Sequence, residues 1–285
     1  MTHPDGHAMA TLRKSLSADS LSATTSHETV LHGLGMRRPL DLAVAVVTAH
    51  PDDETIGLGG VMAHLRNLTL LQLTDGAPLD PAAAAGAGFP NRQAYAAARR
   101  GEIVDALAVL VEGRLSRQVF YEVPDGRLAD HLAGVVERLV EDLICVDAVL
   151  THPYEGGHFD HDAAAFAVQE ACTRLARLGG HVPARLEFTS YHRVGGRLRT
   201  GRFLDDPCAP EVVVPLTPEA ARRKEAAFAC HRSQTGNLGL FGFGPERFRA
   251  APIYDFSRPP PGSEVMYGVE VWRGLSRAFA AATQS

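Results

Sequence analysis

Two short stretches hold most of the side chains that could do chemistry together. The first is His50-Pro51-Asp52-Asp53-Glu54. The second lies within Thr151–Asp162, "THPYEGGHFDHD", and carries His152, His158, Asp160 and His161. Adjacent carboxylates repel one another unless a cation lies nearby, and a divalent metal ion is the economical cation. His50 offers a nitrogen and Asp53 an oxygen, too few for a zinc-like ion, so a further ligand must come from the second stretch. Two histidines and a carboxylate that leave a position open for water describe catalytic rather than structural zinc. Non-haem iron(II) accepts a similar set, so the metal's identity stays open. Pro51 fixes its own φ and holds His50 extended. In so stiff a turn Asp52 and Asp53 point different ways and need not share a task.

Each of these residues also has a plainer reading. Asp52 could cap the helix that follows, and His158 could be a loop histidine without a role. Arg99 could pair with Glu102, and Asp125 sits in a Pro-Asp-Gly turn and reads as turn chemistry. His152 and Glu155 read as loop support or as substrate contacts. Gly57-Leu58-Gly59-Gly60 after a strand superficially resembles a dinucleotide fingerprint, with Asp75 as the ribose acid. Its G-x-G-G spacing and the three acids ahead of it speak against a pyrophosphate. Close helix–sheet contact is the better reading of those glycines.

The elements that must position these groups alternate. Ala43–Thr48 is a continuous apolar run, as in a strand buried on both faces of a parallel sheet. Leu58, Val61, Met62 and Leu65 fit a helical face after it. Strands are expected over 68–73, 118–122, 148–151, 186–191 and 212–214, and helices over 94–111, 128–143, 163–178 and 218–231. Residues 78–90 read as a long Ala/Gly/Pro loop, a candidate lid, and the tail from Gly236 as irregular. Residues 1–38 read as a loosely ordered extension and 39–285 as one domain. The fold class is α/β, a Rossmann-like, mostly parallel sheet flanked by helices. Ligands in such sheets sit beyond the carboxyl ends of the strands, where both His/Asp stretches fall.

The chain has 285 residues, 45% hydrophobic and 21% charged, with a net charge of −5. That balance excludes a nucleic-acid partner, and no apolar run reaches the roughly 20 residues of a membrane span. The four cysteines (Cys145, Cys172, Cys208, Cys230) form no C-x-x-C and read as small core residues of a protein in the reducing cytoplasm. The oligomeric state is not legible.

"AHPDDE" after a strand, followed by "GGHFDHD", resembles the LmbE-like (PIG-L) family of metal-dependent deacetylases. The likeness runs from Ala43 to Gln234 and includes "RRGE" (Arg99–Glu102), "VPDGRL" (Val123–Leu128) and "KEAAFACHRSQ" (Lys224–Gln234). It departs at Phe159, where proline is usual. The resemblance implies removal of an acetyl or other acyl group from an N-acetylglucosamine-type sugar or conjugate. It makes His50, Asp53 and His161 ligands of Zn2+, or of Fe2+ or another divalent ion. It makes Asp52 the general base and His158 the group, protonated, that stabilises the oxyanion or protonates the leaving amine. Asp160 would orient His158, and Arg99 would hold a sugar substituent. The alternatives are an amidase of the same family acting on a non-sugar N-acyl compound, or a metal- or nucleotide-binding module without catalysis.

Overall fold

The computed structural model describes residues 26–111, 115–262 and 264–284. A seven-stranded sheet runs through it in the order β3-β2-β1-β4-β5-β9-β8. The strands are β1 (Leu40–Thr48), β2 (Leu65–Pro78), β3 (Leu115–Asp125), β4 (Ala148–Thr151), β5 (Ala184–Phe188), β8 (Val212–Val214) and β9 (Glu246–Ala250). The first five are parallel, with Val44 opposite both Leu68 and Ala148. β9 joins antiparallel to β5 and β8 and makes the sheet mixed at that edge.

Alternation along β1 sends Val44 and Val46 to one face and Ala45 and Val47 to the other. Each pair enters its own apolar core. The first core is closed by α1 (His27–Gly35), α2 (Asp53–Leu58), α4 (Arg92–Val111) and α7 (Pro218–Phe228). The second is closed by α5 (Leu132–Leu143), α6 (Phe159–Arg177) and α9 (Val269–Gln284). Gly57 lies in α2 because the helix presses on β5: a Cβ there would sit 2.2 Å from the Phe188 ring. The glycines of this run are thus filled by neighbours and leave no phosphate cradle.

Several elements differ from the expectations. The helix after β1 is short and begins at Asp53, and Met62–His64 form only a single 3-10 turn before β2. Residues 78–90 are not one loop, since Pro81–Gly86 form α3, capped by Asp80 accepting from the Ala82 amide. Residues 27–35 form α1, with Ser26 accepting from the Thr29 amide at 3.2 Å. The rest of the expected extension, residues 1–25, lies outside the described residues. The tail contains β9 and α9. Its signal was Leu275, Phe279 and Ala282 at helical spacing, obscured by the Gly/Pro/aromatic-rich stretch ahead of it. Cys172 is buried and Cys230 is half-buried against the first core, whereas Cys145 and Cys208 are exposed and are not core residues.

A separate two-stranded ribbon, β6 (Tyr191–Val194) and β7 (Arg197–Thr200), stands beyond the carboxyl end of β5. Gly195 and Gly196 turn it, both with positive φ (57° and 73°), as a two-residue hairpin loop requires.

Candidate active site

β1, β4, β5 and β3 end within two residues of His50, His152, Ser190 and Asp125 respectively, so the sheet itself delivers these side chains to one edge. His50 Nδ1 lies 3.2 Å from His161 Nε2 and 3.5 Å from Asp53 Oδ2, and His161 Nε2 lies 3.3 Å from Asp53 Oδ1. Ligands at zinc–nitrogen distances of about 2.0–2.1 Å in a tetrahedron stand roughly 3.3–3.4 Å apart. The two nitrogens therefore stand at the spacing of ligands around one ion, and Asp53 approaches each of them with a different oxygen. Among the described residues, overlapping donor sets also form from His50, His158 and His161, from Asp53, His152 and His161, and from His50, Asp125 and Asp160.

The tautomers agree with that use. The Nε2 of His50 lies 3.2 Å from Asp125 Oδ1 and 3.3 Å from Asp160 Oδ2, so its proton sits there and the Nδ1 lone pair faces the centre. The Nδ1 of His161 lies 3.2 Å from Ser190 Oγ, which leaves its Nε2 lone pair for the centre. A carboxylate or hydroxyl on the far nitrogen is how proteins fix a metal-binding imidazole. Burial opposes a charge on His50, but Asp125, Asp160 and Asp53 outweigh it and raise its pKa well above the usual value. Burial and the charge of His152 press His161 down to about 4, which keeps the ring neutral with a lone pair to offer.

Asp52 and Asp53 do diverge. The Asp53 carboxylate is enclosed by His161, His152 and the His50 amide, which donates to Oδ2 at 2.7 Å. Burial would raise its pKa, but His161 and His152 hold it well below the usual carboxylate range. Asp52 sits at φ 137°, a strained conformation for a side-chain-bearing residue and a common mark of a functional site. It makes no helix-capping hydrogen bond. Burial raises its pKa to about 7, helped by the Asp53 charge and opposed by Arg99.

Three further placements depart from the expectations. The Asp160 carboxylate does not orient His158. It binds the Gly126 and Leu128 amides at 2.7 and 3.2 Å and steadies His50. Only the Asp160 backbone N–H touches His158, donating to Nδ1 at 3.1 Å and fixing the proton of the neutral ring on Nε2. Nor is His158 protonated: burial, with His50 and His161, pushes it down to about 3. Arg99 is committed to the turn, donating to Pro51 O (2.6 Å), Gly76 O (2.9 Å) and Asp52 Oδ2 (3.2 Å). Gly76, at φ 65°, is needed for this, because a Cβ would stand 2.7 Å from Pro51 Cδ and 2.8 Å from Arg99 Cζ. Arg99 positions Asp52 rather than standing free for substrate.

Sequence reasoning passed over Asp125, His152 and Ser190 as parts of this site. Each falls one or two residues past a strand end or at its last residue, which was the available signal. Glu155 faces away, toward His192 Nδ1 (3.0 Å) and Arg249 Nη2 (3.3 Å). The centre opens into a cavity of about 270 Å³ that His50, Asp52, Asp53, Arg99, His158 and His161 line on one side.

Residues 45–172 match the family model described as PIG-L, GlcNAc-PI de-N-acetylase, so the chain carries a PIG-L domain there. No curated protein matches the chain in sequence. Among solved structures, the chain is similar to a zinc-inhibited form of the teicoplanin deacetylase Orf2 (TM-score 0.54, 16% identity), covering 74% of this chain and 99% of that one. It is similar to the N,N'-diacetylchitobiose deacetylase of Pyrococcus horikoshii (0.51, 18%), over 88% and 95% of the two chains. It is also similar to GalB, the 4-carboxy-2-hydroxymuconate hydratase of Pseudomonas putida (0.50, 18%), over 74% and 97%. At these identities the likeness is one of fold. Among the described residues no helix is long and apolar enough to cross a membrane.

Proposed function

We propose that this chain, with its PIG-L domain, is a metal-dependent N-deacetylase that hydrolyses the acetamide of an N-acetylglucosamine-type sugar or conjugate. The observation that carries this is the clustering of His50 Nδ1, the Asp53 carboxylate and His161 Nε2 within 3.5 Å of one another, beside a buried Asp52 poised near pH 7. Two nitrogens and a carboxylate suit zinc first and iron(II) second. A divalent ion held there would polarise the amide carbonyl and make water more acidic.

The chain's own groups do the rest. Asp52, ionised near neutral pH, takes a proton from the attacking water, and Arg99 holds its carboxylate on the cavity side. The tetrahedral oxyanion accepts a hydrogen bond from His158 Nε2–H, which the Asp160 amide orients by occupying Nδ1. The C–N bond then breaks as the amine nitrogen receives a proton carried by Asp52, and acetate leaves. Asp160, Asp125 and Ser190 hold the two ligating rings in the required tautomers.

The test is acetate release by protein loaded in turn with zinc and iron(II), from N-acetylglucosamine, its glycosides and non-sugar acetamides. Release from sugars alone supports the reading. Release only from non-sugar amides makes the protein an amidase of another substrate class. Metal uptake without acetate from any amide sinks the proposal, and the GalB likeness makes hydration of an unsaturated acid the next assay.

A further inference from the structure

Asp52 takes a backbone conformation that aspartate does not favour, and its neighbours hold it there. Its φ of 137° and ψ of −23° lie outside the regions open to a side-chain-bearing residue without strain. Its carbonyl accepts from the Ile56 amide at 2.9 Å, where α2 begins. Arg99 holds its carboxylate and the Pro51 carbonyl together. Its own N–H points inward and donates to Glu54 Oε2 at 3.1 Å. The N–H and the carboxylate sit at opposite ends of the N–Cα bond, the axis of φ. The Glu54 and Arg99 contacts together therefore fix that angle.

Glu54 has no other evident task. It is fully buried and takes no part in the cavity lining. A carboxylate shut away from water needs donors. Thr55 Oγ1 supplies one to Oε1 at 2.6 Å, and the Asp52 amide supplies one to Oε2. Behind Thr55 stands His231, also fully buried, with Nε2 3.1 Å from Thr55 Oγ1 and 3.6 Å from Glu54 Oε1. The plainer reading of Glu54 is the return half of a capping box, in which an acid of the first helical turn binds the N-cap amide. The forward half is missing, since the Asp52 side chain makes no capping bond, and α2 has only six residues for a cap to protect.

We propose that Glu54 is the positioning residue of Asp52. By accepting the Asp52 N–H it holds the positive φ that turns the Asp52 carboxylate to the cavity while Asp53 faces His50, His152 and His161. This rests on the deacetylase reading, in which Asp52 is the general base, and adds a residue that reaches the reaction only through the backbone. Without an acceptor for its N–H, Asp52 relaxes to a negative φ and its carboxylate leaves the place where it meets the attacking water. The acceptor matters here, not the charge. A glutamine oxygen can take the same N–H, and its NH2 can donate to Thr55 Oγ1, whose proton then turns to His231 Nε2.

Crystal structures and kinetics of metal-loaded Glu54→Leu and Glu54→Gln test this. Leucine fills the space without offering an acceptor. Glu54→Leu should show Asp52 at negative φ and one ion per chain, with kcat lower by ~10²-fold at nearly unchanged KM, the scale of a misplaced catalytic group. Glu54→Gln should keep the positive φ and a kcat within ~5-fold of wild type, far short of that loss. The sharpest comparison is Glu54→Leu in the Asp52→Asn background. A residue acting through the Asp52 carboxylate changes the remaining rate there by less than ~3-fold, whereas a general weakening of the fold costs the same in both backgrounds. Glu54→Ala takes the place of Glu54→Leu throughout if the leucine variant yields no folded protein. An unchanged Asp52 φ without the acceptor, equal losses in both backgrounds, or Glu54→Gln falling as far as Glu54→Leu overturns the proposal. If the wild type releases acetate from no amide, the deacetylase reading fails, and the Asp52 φ in Glu54→Leu alone decides whether Glu54 holds the turn.

Discussion

Asp52 and Asp53 are neighbours in the chain, yet their carboxylates are held in opposite electrostatic states. Asp53 lies among His50, His152 and His161 and is held well below the usual carboxylate range. Asp52 meets Arg99 at 3.2 Å and is pushed by burial up to about 7. A permanent anion suits a metal ligand, and a carboxylate that exchanges its proton near neutrality suits a general base. The strained φ of Asp52 is the device that lets one turn aim two adjacent side chains apart.

Asp53→Ala should therefore lose metal and activity together. Asp52→Asn should keep metal at one ion per chain while kcat falls by ~10²–10⁴, the scale of a lost general base. Elemental analysis beside steady-state kinetics decides the matter. Loss of metal in Asp52→Asn would invert the two roles.

The two rings proposed as ligands have partners that no motif advertises. Ser190 Oγ fixes the His161 tautomer, and its removal frees that ring to turn. Ser190→Ala should weaken metal affinity ~10–100-fold, as for other partners of metal-bound histidines. His161→Ala should abolish binding. Competition with a calibrated chelator measures both, and unchanged affinity in Ser190→Ala would remove Ser190 from the centre.

How much of this was legible follows from how local each signal is. β1 and β4 are continuous apolar runs, and the His/Asp stretches directly follow them, so strand, turn and ligands were read together. Asp125 looked like turn chemistry because Pro-Asp-Gly is sufficient reason for a turn; its contact with His50 depends on β3 lying two strands away in the sheet. The family resemblance gives Asp160 to His158, two residues away, whereas the fold brings its carboxylate to His50, 110 residues away. The sequence offers Arg99 either Glu102 or a sugar substituent, because only the folded turn shows the Pro51 and Gly76 carbonyls it satisfies. The ribbon of β6 and β7 and the strand β9 lie among glycines and arginines with little apolar alternation, so periodicity had little to detect.

One pH effect lies away from the centre. Glu187 is buried against Arg249, whose Nε donates to Oε2 at 2.8 Å. Burial raises the carboxyl from 4.5 to about 7, with Arg249 opposing. Below about pH 4.5 the folded and unfolded forms both carry the proton; between 4.5 and 7 only the folded form keeps it. The group's contribution to stability therefore falls as pH rises through that window and is constant above it. Glu187→Gln removes the titration. Its stability relative to wild type should climb by up to about 3 kcal/mol from pH 4.5 to 7 and then level off. Urea unfolding of both proteins across pH 4.5–8 checks this; a difference independent of pH would mean that Glu187 is ionised throughout.

His158 tests the chemistry most directly, because its proton has only one place to be. The Asp160 amide donates to Nδ1, so the neutral ring carries its proton on Nε2, and the ring is neutral from about pH 3 upward. It can donate a hydrogen bond to an oxyanion without being an imidazolium. Two consequences separate this from a protonated acid. His158→Gln should lower kcat ~10²–10³, the scale of a lost oxyanion donor, with metal content as in wild type. It should also leave the shape of the kcat/KM profile between pH 5 and 9 unchanged, since no proton on His158 titrates in that range. An imidazolium acting as the leaving-group acid would instead give an alkaline limb that disappears in His158→Gln. Loss of metal would make His158 a fourth ligand, and an unchanged rate would make it a bystander. The variant's metal content, rate and pH profile, measured on one preparation, distinguish all four.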